Sequence, residues 1–404
     1  MFFIKKLGCR AFQTAFRALL PFLPYREPAI LPSYDGLAAV FKQEKTAAVL
    51  IVTSPSIVKN GLISPLERVL EQNHIRHTVY DQTRPDPTVA NVEDALRSYR
   101  ENGCDTLIAI GGGSVMDCAK GVGARVAYPK KRLNQMGGVL RIRRRIPTLI
   151  AIPTTAGTGS ETSPAAVITD SDTHHKYAIM SFPLIPHYAI LDACLAYSVP
   201  PQLTATTGMD ALTHAVEAYI GRATTKKTRA LALEATALIF GNLEKAYADG
   251  QNHESRENLL RAAYKAGVAF STSYVGYVHA LAHALGGTYG TPHGLANAVI
   301  MPYVLEAYGK SAHKKLHRLG MAAGVCDKSD TPEAGARKFI DAIKALNARM
   351  NIPSTLSDIK AADIPAMAKH AEKEANPLYP VPKLMTKKEL EDMYLRIAGE
   401  STVH

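Results

Sequence analysis

Residues 106–120 read TLIAIGGGSVMDCAK. A short apolar run ends in three glycines and passes directly into a stretch of helix-forming residues. Five apolar and β-branched residues without helical periodicity read as a buried strand. Glycines at its end let the backbone approach a pyrophosphate closely. The amides that open the following helix would point at that anion, with the helix dipole behind them. Gly111, Gly112, Gly113 and Ser114 are therefore candidate phosphate-binding residues. The run is not GxGxxG, and GGGS alone marks no more than a tight turn; its place between strand and helix gives it weight.

The same arrangement recurs at residues 147–164, PTLIAIPTTAGTGSETSP, where a buried run enters a loop rich in glycine and hydroxyls. Thr154, Thr155, Thr158 and Ser160 are donors suited to phosphate or ribose oxygens, and singly they are also common turn formers. Upstream, residues 46–54 (TAAVLIVTS) and 77–81 (HTVYD) read as strands, with helical stretches at 62–73 and 89–102. Strands alternating with helices predict a parallel α/β sheet. Two such loops after two strands of one sheet put a nucleotide at the strands' C-terminal edge. Beyond Pro200-Pro201 the strand pattern fades, and helical segments follow at 205–219, 227–248, 254–270 and again from Lys338. The expected organisation is an α/β dinucleotide-binding domain over 31–199 and an all-helical domain over 200–404. Residues 1–30 form a basic extension.

The helical half carries the second signal. GMDALTHAVEAY places Asp210 and His214 four residues apart, on one face of a helix. Residues 276–294, GYVHALAHALGGTYGTPHG, give His279 and His283 the same spacing. The Gly286-Gly287 pair is expected to break that helix, and Pro292-His293-Gly294 to return a third imidazole to the same place. Any one histidine here, taken singly, reads better as a core or capping residue. Asp210, His214, His279 and His293 together suit a first-row divalent ion such as iron or zinc.

At 404 residues the chain is too long for one ordinary core, and 47% hydrophobic with 21% charged residues is a soluble globular composition. Five scattered cysteines without a CxxC point to reduced thiols in a cytoplasm and away from a disulfide framework or a zinc–thiolate site. The net charge of +11 is concentrated at Lys130, Lys131, Arg132, Arg141 and Arg143 to Arg145, and in the N-terminus. No nucleic-acid motif or aromatic interleaving accompanies it, so the reading is a solvated loop that attracts a phosphorylated cofactor, with no nucleic-acid partner. Residues 1–24 contain Lys5, Lys6, Arg10 and Arg17 but no acid. Phe3, Ile4, Leu7, Ala11, Phe12, Ala15, Phe16, Leu19 and Leu20 form an apolar stripe at helical spacing. Such a helix lies on a membrane surface or packs on its own domain or on a partner subunit. It lacks the uninterrupted h-region of a cleaved signal peptide.

Taken together, GGGSVMDCAK, PTTAGTGSE, TGMDALTHAVEAY and VHALAHALGGTYGTPHG resemble, in order and spacing, the iron-containing (group III) alcohol dehydrogenases over nearly the whole chain from about residue 31. The resemblance implies an N-terminal Rossmann-like parallel-sheet domain and a C-terminal helical domain, the dehydroquinate-synthase-like architecture. A cleft between them holds cofactor and metal, in a homodimer or larger homo-oligomer joined through N-terminal strands. It implies Asp210, His214, His279 and His293 as ligands of Fe(II), with His283 near the substrate as a proton carrier that does not ligate. Gly112, Gly113 and Ser114 match the pyrophosphate loop, Asp117 the nicotinamide end, and Thr154, Thr155, Thr158 and Lys176 further cofactor contacts. Phe270 matches a position lining the substrate pocket. Tyr274 and Tyr277, just before His279, either narrow that pocket or belong to the core.

One departure bears on the cofactor. Many NAD-preferring relatives carry an aspartate after the first strand, where it binds the adenosine ribose; here IVTSPS puts Ser54 in that place. An acid would repel a 2′-phosphate and a serine does not, so NADP(H) is admitted beside NAD(H). The expected reaction is hydride transfer between the nicotinamide and a small primary alcohol or its aldehyde, with the ion as Lewis acid. Zinc satisfies the same ligands. Glycerol-dehydrogenase-like relatives typically lack the histidine at 214, and dehydroquinate-synthase-like lyases use a glutamate ligand, so His214 and Asp210 argue against both. A non-catalytic binding protein would not need the whole cage.

Overall fold

The computed structural model describes residues 2–171 and 176–399, without the side chains of residues 2–5 and 21; the side chains of Phe3 and Ile4 of the N-terminal stripe, and of basic Lys5, therefore lie outside the description. The chain divides into two compact units. One is residues 24–198, and the other combines residues 1–23 with residues 199–404.

In chain order, α1 (Phe2–Leu19) precedes β1 (Ala29–Leu31), α2 (Leu37–Glu44), β2 (Ala48–Val52), α3 (Pro55–Lys59), α4 (Ser64–Gln72), β3 (Arg76–Tyr80), α5 (Val89–Glu101), β4 (Thr106–Gly111) and α6 (Gly113–Ala127). Then come β5 (Gly138–Val139), β6 (Thr148–Pro153), β7 (Ala165–Thr169), β8 (Lys176–Met180) and β9 (Tyr188–Ile190). Six strands form one parallel sheet in the order β1-β9-β6-β4-β2-β3, and β5, β8 and β7 form a small second sheet. Strands β2, β4 and β6 are buried on both faces, which is why each reads as an unbroken apolar run. Along β4, Leu107 and Ala109 pack with Val92 and Leu96 of α5 and Val122 of α6. Ile108 and Ile110 face the other way, onto Leu66 and Leu70 of α4 and Phe41 of α2. Helices thus cover both faces, as a parallel sheet requires.

The second unit is helical: α7 (Pro201–Ile220), α8 (Lys226–Ala248), α9 (His253–Ser273), α10 (Tyr277–Tyr289), α11 (His293–Tyr308), α12 (His313–Ala322), α13 (Pro332–Arg349), α14 (Ile364–Ala375) and α15 (Lys387–Ala398). One local expectation changes. Helix α10 runs through Gly286 and Gly287 and stops at Gly290, which takes the left-handed C-cap conformation at φ +69°. Packing of buried Ala284 and Leu285 outweighs the helix-breaking tendency of two glycines. Helix α1 groups with the helical unit, in line with the reading that it packs on its own chain. Gln13 is its buried residue, while Leu7, Phe12 and Leu19 of the apolar stripe are 65%, 44% and 57% exposed. The polar side docks because Arg10 and Gln13 find backbone carbonyls at residues 377–382. Among the described residues no helix is long and apolar enough to cross a membrane.

Candidate metal centre and nucleotide edge

Helix α7 starts on Pro201, a residue suited to the first helical position, and presents Asp210, His214 and Glu217 at four- and three-residue steps. Helix α10 adds His279 and His283, and His293 opens α11 rather than sitting in a loop. One ligand atom each from Asp210, His279 and His293 lies within 4.8 Å of the others. Asp210 Oδ1 is 3.9 Å from His279 Nε2 and 3.4 Å from His293 Nε2. Ligands ~2.1 Å from a tetrahedral ion stand about 3.4 Å apart, so these atoms suit a single small cation. The His214 ring is stacked on Phe270 of α9 at 4.2 Å and lies 4.5 Å from the His279 ring.

Glu217 and Asn297, which sequence reading passed over, hold this cage. Buried Glu217 accepts from Gly276 N and Val278 N, each at 2.8 Å, and from His279 Nδ1 at 2.7 Å. With Nδ1 so engaged, His279 turns Nε2 inward, and that buried atom has no hydrogen-bond partner. Burial, reinforced by His214, His293 and His283, holds the His279 imidazolium well below its ordinary pKa, so the ring is neutral, as a ligand must be. Asn297, one turn into α11, brings its amide nitrogen 2.7 Å from Asp210 Oδ1 and 3.0 Å from His293 Nε2. Both lay at helical spacing from a candidate ligand, three residues after His214 and four after His293, and that spacing was the available signal.

His283 stacks on His293 at 5.1 Å and keeps 42% of its side chain exposed. Its Nδ1 lies 2.7 Å from Glu374 Oε1 of α14, and the Tyr379 hydroxyl donates to the same oxygen at 2.8 Å. Burial works against the His283 imidazolium, but Glu374, joined by Asp210 and Glu217, outweighs it and the pKa is raised. Tyr274 and Tyr277 separate into different roles. Tyr277 is fully buried, with its hydroxyl between Asn376 and the Met385 amide, and is core. Tyr274 ends α9 at φ +63°, ψ 178°, a glycine-type conformation that costs a bulky residue about 1–3 kcal/mol. Its ring meets Phe16 of α1 edge-on at 5.1 Å and Tyr379 at 6.4 Å.

In the α/β unit the expected cofactor residues gather at one edge of the sheet. Gly111 pairs in register with Pro153, and Thr154 N donates to Gly111 O at 3.1 Å. Thr53 Oγ1 at the end of β2 donates to Ile110 O, which brings neighbouring Ser54 to the same edge. A Cβ on Gly111 would fall 2.6 Å from the Val115 side chain, and one on Gly113 would fall 3.0 Å from Thr158. Glycine at 111 makes room for Val115 of α6, and glycine at 113 lets the first loop come close to Thr158 of the second. Thr155 faces Gly112 across the same gap. Ser114 Oγ accepts from Asp86 N, and Asp86 pairs with Lys176 at 2.7 Å.

Asp117, expected at the nicotinamide end, is engaged within the protein through both carboxylate oxygens. Its carboxylate accepts from Ser160 Oγ of the second loop and from Val167 N of β7, each at 3.0 Å, and so ties α6 to both. Beneath it the buried Lys120 ammonium donates to Ser160 O, Ser160 Oγ, Ser163 Oγ and Ala165 O at 2.7–3.1 Å. Burial pulls Lys120 down to about 8 and pushes neighbouring Glu161 up to about 7.

Comparison with known proteins fits both halves. Residues 33–193 match the family model for iron-containing alcohol dehydrogenase, and residues 204–398 match the C-terminal model of the Fe-containing alcohol dehydrogenase family. The chain therefore belongs to the iron-containing alcohol dehydrogenase family and is an oxidoreductase of the alcohol dehydrogenase class. It is 38% identical over 331 residues to 1,3-propanediol dehydrogenase of Klebsiella pneumoniae, covering 81% of this chain and 85% of that one. It is 36% identical over 332 residues to the NAD-dependent methanol dehydrogenase of Bacillus methanolicus, covering 82% and 87%. Its fold is similar to a crystal structure of 1,3-propanediol oxidoreductase, with a TM-score of 0.88 and 34% identity over 92% of this chain and 98% of that one.

Proposed function

We propose that this enzyme interconverts small primary alcohols and their aldehydes, using one divalent ion held by Asp210, His214, His279 and His293 and a nicotinamide cofactor, NAD(H) or NADP(H). The observation that carries the reading is the convergence of Asp210, His279 and His293 on one point, with the inward Nε2 of His279 lacking any other partner. Fe(II) is the proposed ion on family grounds, and Zn(II) suits the same donors. Bound there, the ion supplies Lewis acidity toward an alcohol or carbonyl oxygen.

The protein's own groups do the rest. Glu217 fixes the His279 tautomer and Asn297 orients Asp210. Phe270 braces His214 and offers an apolar wall to a short alkyl chain. His283, held through Nδ1 by Glu374, has Nε2 available to take up or return the alcohol proton. Amides of Gly112, Gly113 and Ser114 would cradle the pyrophosphate, with Thr154, Thr155, Thr158 and Lys176 beside it. The substrates of the relatives named above, 1,3-propanediol and methanol, support a small alcohol. Strand β1 pairs on one side with β9 and leaves its other edge for a second copy, which supports a homodimer or larger assembly. Exposed Leu7, Phe12 and Leu19 support peripheral contact with a membrane surface from the cytoplasm.

The test is anaerobic turnover of metal-stripped protein with Fe²⁺ or Zn²⁺ restored, followed by oxidation of NADH or NADPH with butanal. Metal-dependent oxidation is expected. No oxidation with either ion across a panel of short aldehydes would count against the proposal.

A further inference from the structure

Among the described residues, Arg10, Gln13 and Phe16 of helix α1 reach two short parts of the helical unit. Arg10 donates to Val381 O at 2.7 Å and Pro382 O at 2.9 Å. Gln13 Nε2 donates to Tyr379 O at 2.8 Å and Pro377 O at 3.3 Å, and Arg10 also holds the Gln13 side chain at 2.7 Å. One turn further on, Phe16 packs edge-on against Tyr274. Gln13 is 3% exposed, so a buried amide with two carbonyl partners is a fixed contact, not a chance surface one.

The segment so anchored is the one that reaches the candidate site. Tyr379 gives its backbone carbonyl to Gln13 and its hydroxyl to Glu374, and Glu374 holds His283 Nδ1. Its ring also backs Tyr274, which is clamped between Tyr379 and Phe16 in a conformation usually left to glycine. We infer that α1 is a positioning element of the catalytic centre: Arg10 and Gln13 lock residues 377–382, and Tyr379 and Glu374 thereby fix the His283 imidazole. The inference rests on the reading of His283 as the proton carrier. It gives the N-terminal helix an internal task separate from any use of its exposed apolar side.

An imidazole held by a single carboxylate can swing about that contact. A carboxylate whose own position is set by a second donor on a tethered segment cannot. Loosening the tether therefore lowers the fraction of molecules with Nε2 correctly aimed, and reduces kcat while leaving cofactor binding in the α/β unit and the metal cage untouched.

Gln13→Ala and Tyr379→Phe, singly and together, test this in the full-length, metal-loaded enzyme. Each single change is expected to lower kcat by about tenfold, with the KM for the nicotinamide cofactor and the metal content unchanged. The double variant is expected to be no worse than the poorer single one, because both act through one linkage. Multiplicative losses, or wild-type kcat in Tyr379→Phe, would overturn the inference. Tyr379→Phe removes only a hydroxyl and so keeps the test decisive if Gln13→Ala unfolds. Hydrogen exchange supplies a readout independent of turnover: Gln13→Ala is expected to speed exchange by several-fold across residues 364–382. Faster exchange confined to α1 itself would overturn the linkage. A wild-type enzyme without turnover would remove the dehydrogenase reading, and the exchange result would still decide whether α1 controls this segment.

Discussion

His279 Nδ1 lies 2.7 Å from Glu217 Oε2, so the carboxylate of one helix decides which nitrogen of another helix faces the cage. Glu217 accepts three hydrogen bonds there, two of them from backbone amides. A glutamine would turn an NH₂ group toward one of these donors. Glu217→Gln is therefore expected to weaken metal binding by about 10–100-fold. Competition with a chelator measures it directly, and an unchanged affinity would show that Glu217 does not set the ligand's orientation.

Gly294 follows His293 at the start of α11, and a Cβ there would fall 2.5 Å from the Thr206 carbonyl oxygen of α7. That neighbour is backbone and has little freedom to retreat. Gly294→Ala is expected to push α11 off α7 and carry His293 with it, with a stability loss of about 1–3 kcal/mol. Metal retained after gel filtration should fall in the same variant. Wild-type retention with wild-type melting would mean the contact is slack.

Glu161 gives the α/β unit a pH signature that does not involve the metal. Burial raises it to about 7, and Lys120 only partly offsets the shift. Its unfolded value is about 4.3, so between about 4.3 and about 7 the folded state binds more protons. Stability from this group is present below that window and is lost as pH rises through it. Glu161→Gln should therefore melt at a higher temperature than wild type above about pH 7, with the difference closing toward about pH 4.5. Parallel melting curves across the range would refute the assignment.

Ser54 stands at the C-terminal end of β2, with its hydroxyl 3.2 Å from that of Ser56. If the proposed cofactor placement holds, a carboxylate at this position repels the 2′-phosphate of NADP(H) and pairs with the ribose hydroxyls of NAD(H). Ser54→Asp is expected to lower kcat/KM for NADPH by roughly tenfold or more and to leave NADH use equal or improved. Equal losses with both cofactors would place the adenosine end elsewhere.

The parts of the fold that sequence made legible are those where burial is complete. Strands β2, β4 and β6 are enclosed on both faces, so their apolar runs had no competing explanation. Strands β1, β5 and β9, at two or three residues each, are too short to establish any period. Asp210, His279 and His293, which converge on one point, were legible because the first two sit at helical spacing from another histidine and the third follows a proline. Glu374 left no such trace: it is 91 residues from His283, and only the packing of α14 against α10 brings them together. Arg10 and Gln13 were masked for the opposite reason. Their apolar neighbours drew attention to a stripe of which Leu7, Phe12 and Leu19 remain exposed, while the polar pair, with Phe16, makes the anchored contacts.

The most direct test of the central claim is a titration of turnover against metal occupancy. Stripped enzyme would receive Fe²⁺ or Zn²⁺ in steps under anaerobic conditions, with bound metal and butanal reduction measured at each step. Activity is expected to rise linearly and stop at about one ion per chain, and Asp210→Asn and His279→Ala should neither retain that ion nor gain activity. Full turnover in the stripped enzyme, or an Asp210→Asn variant as active as wild type, would contradict the account.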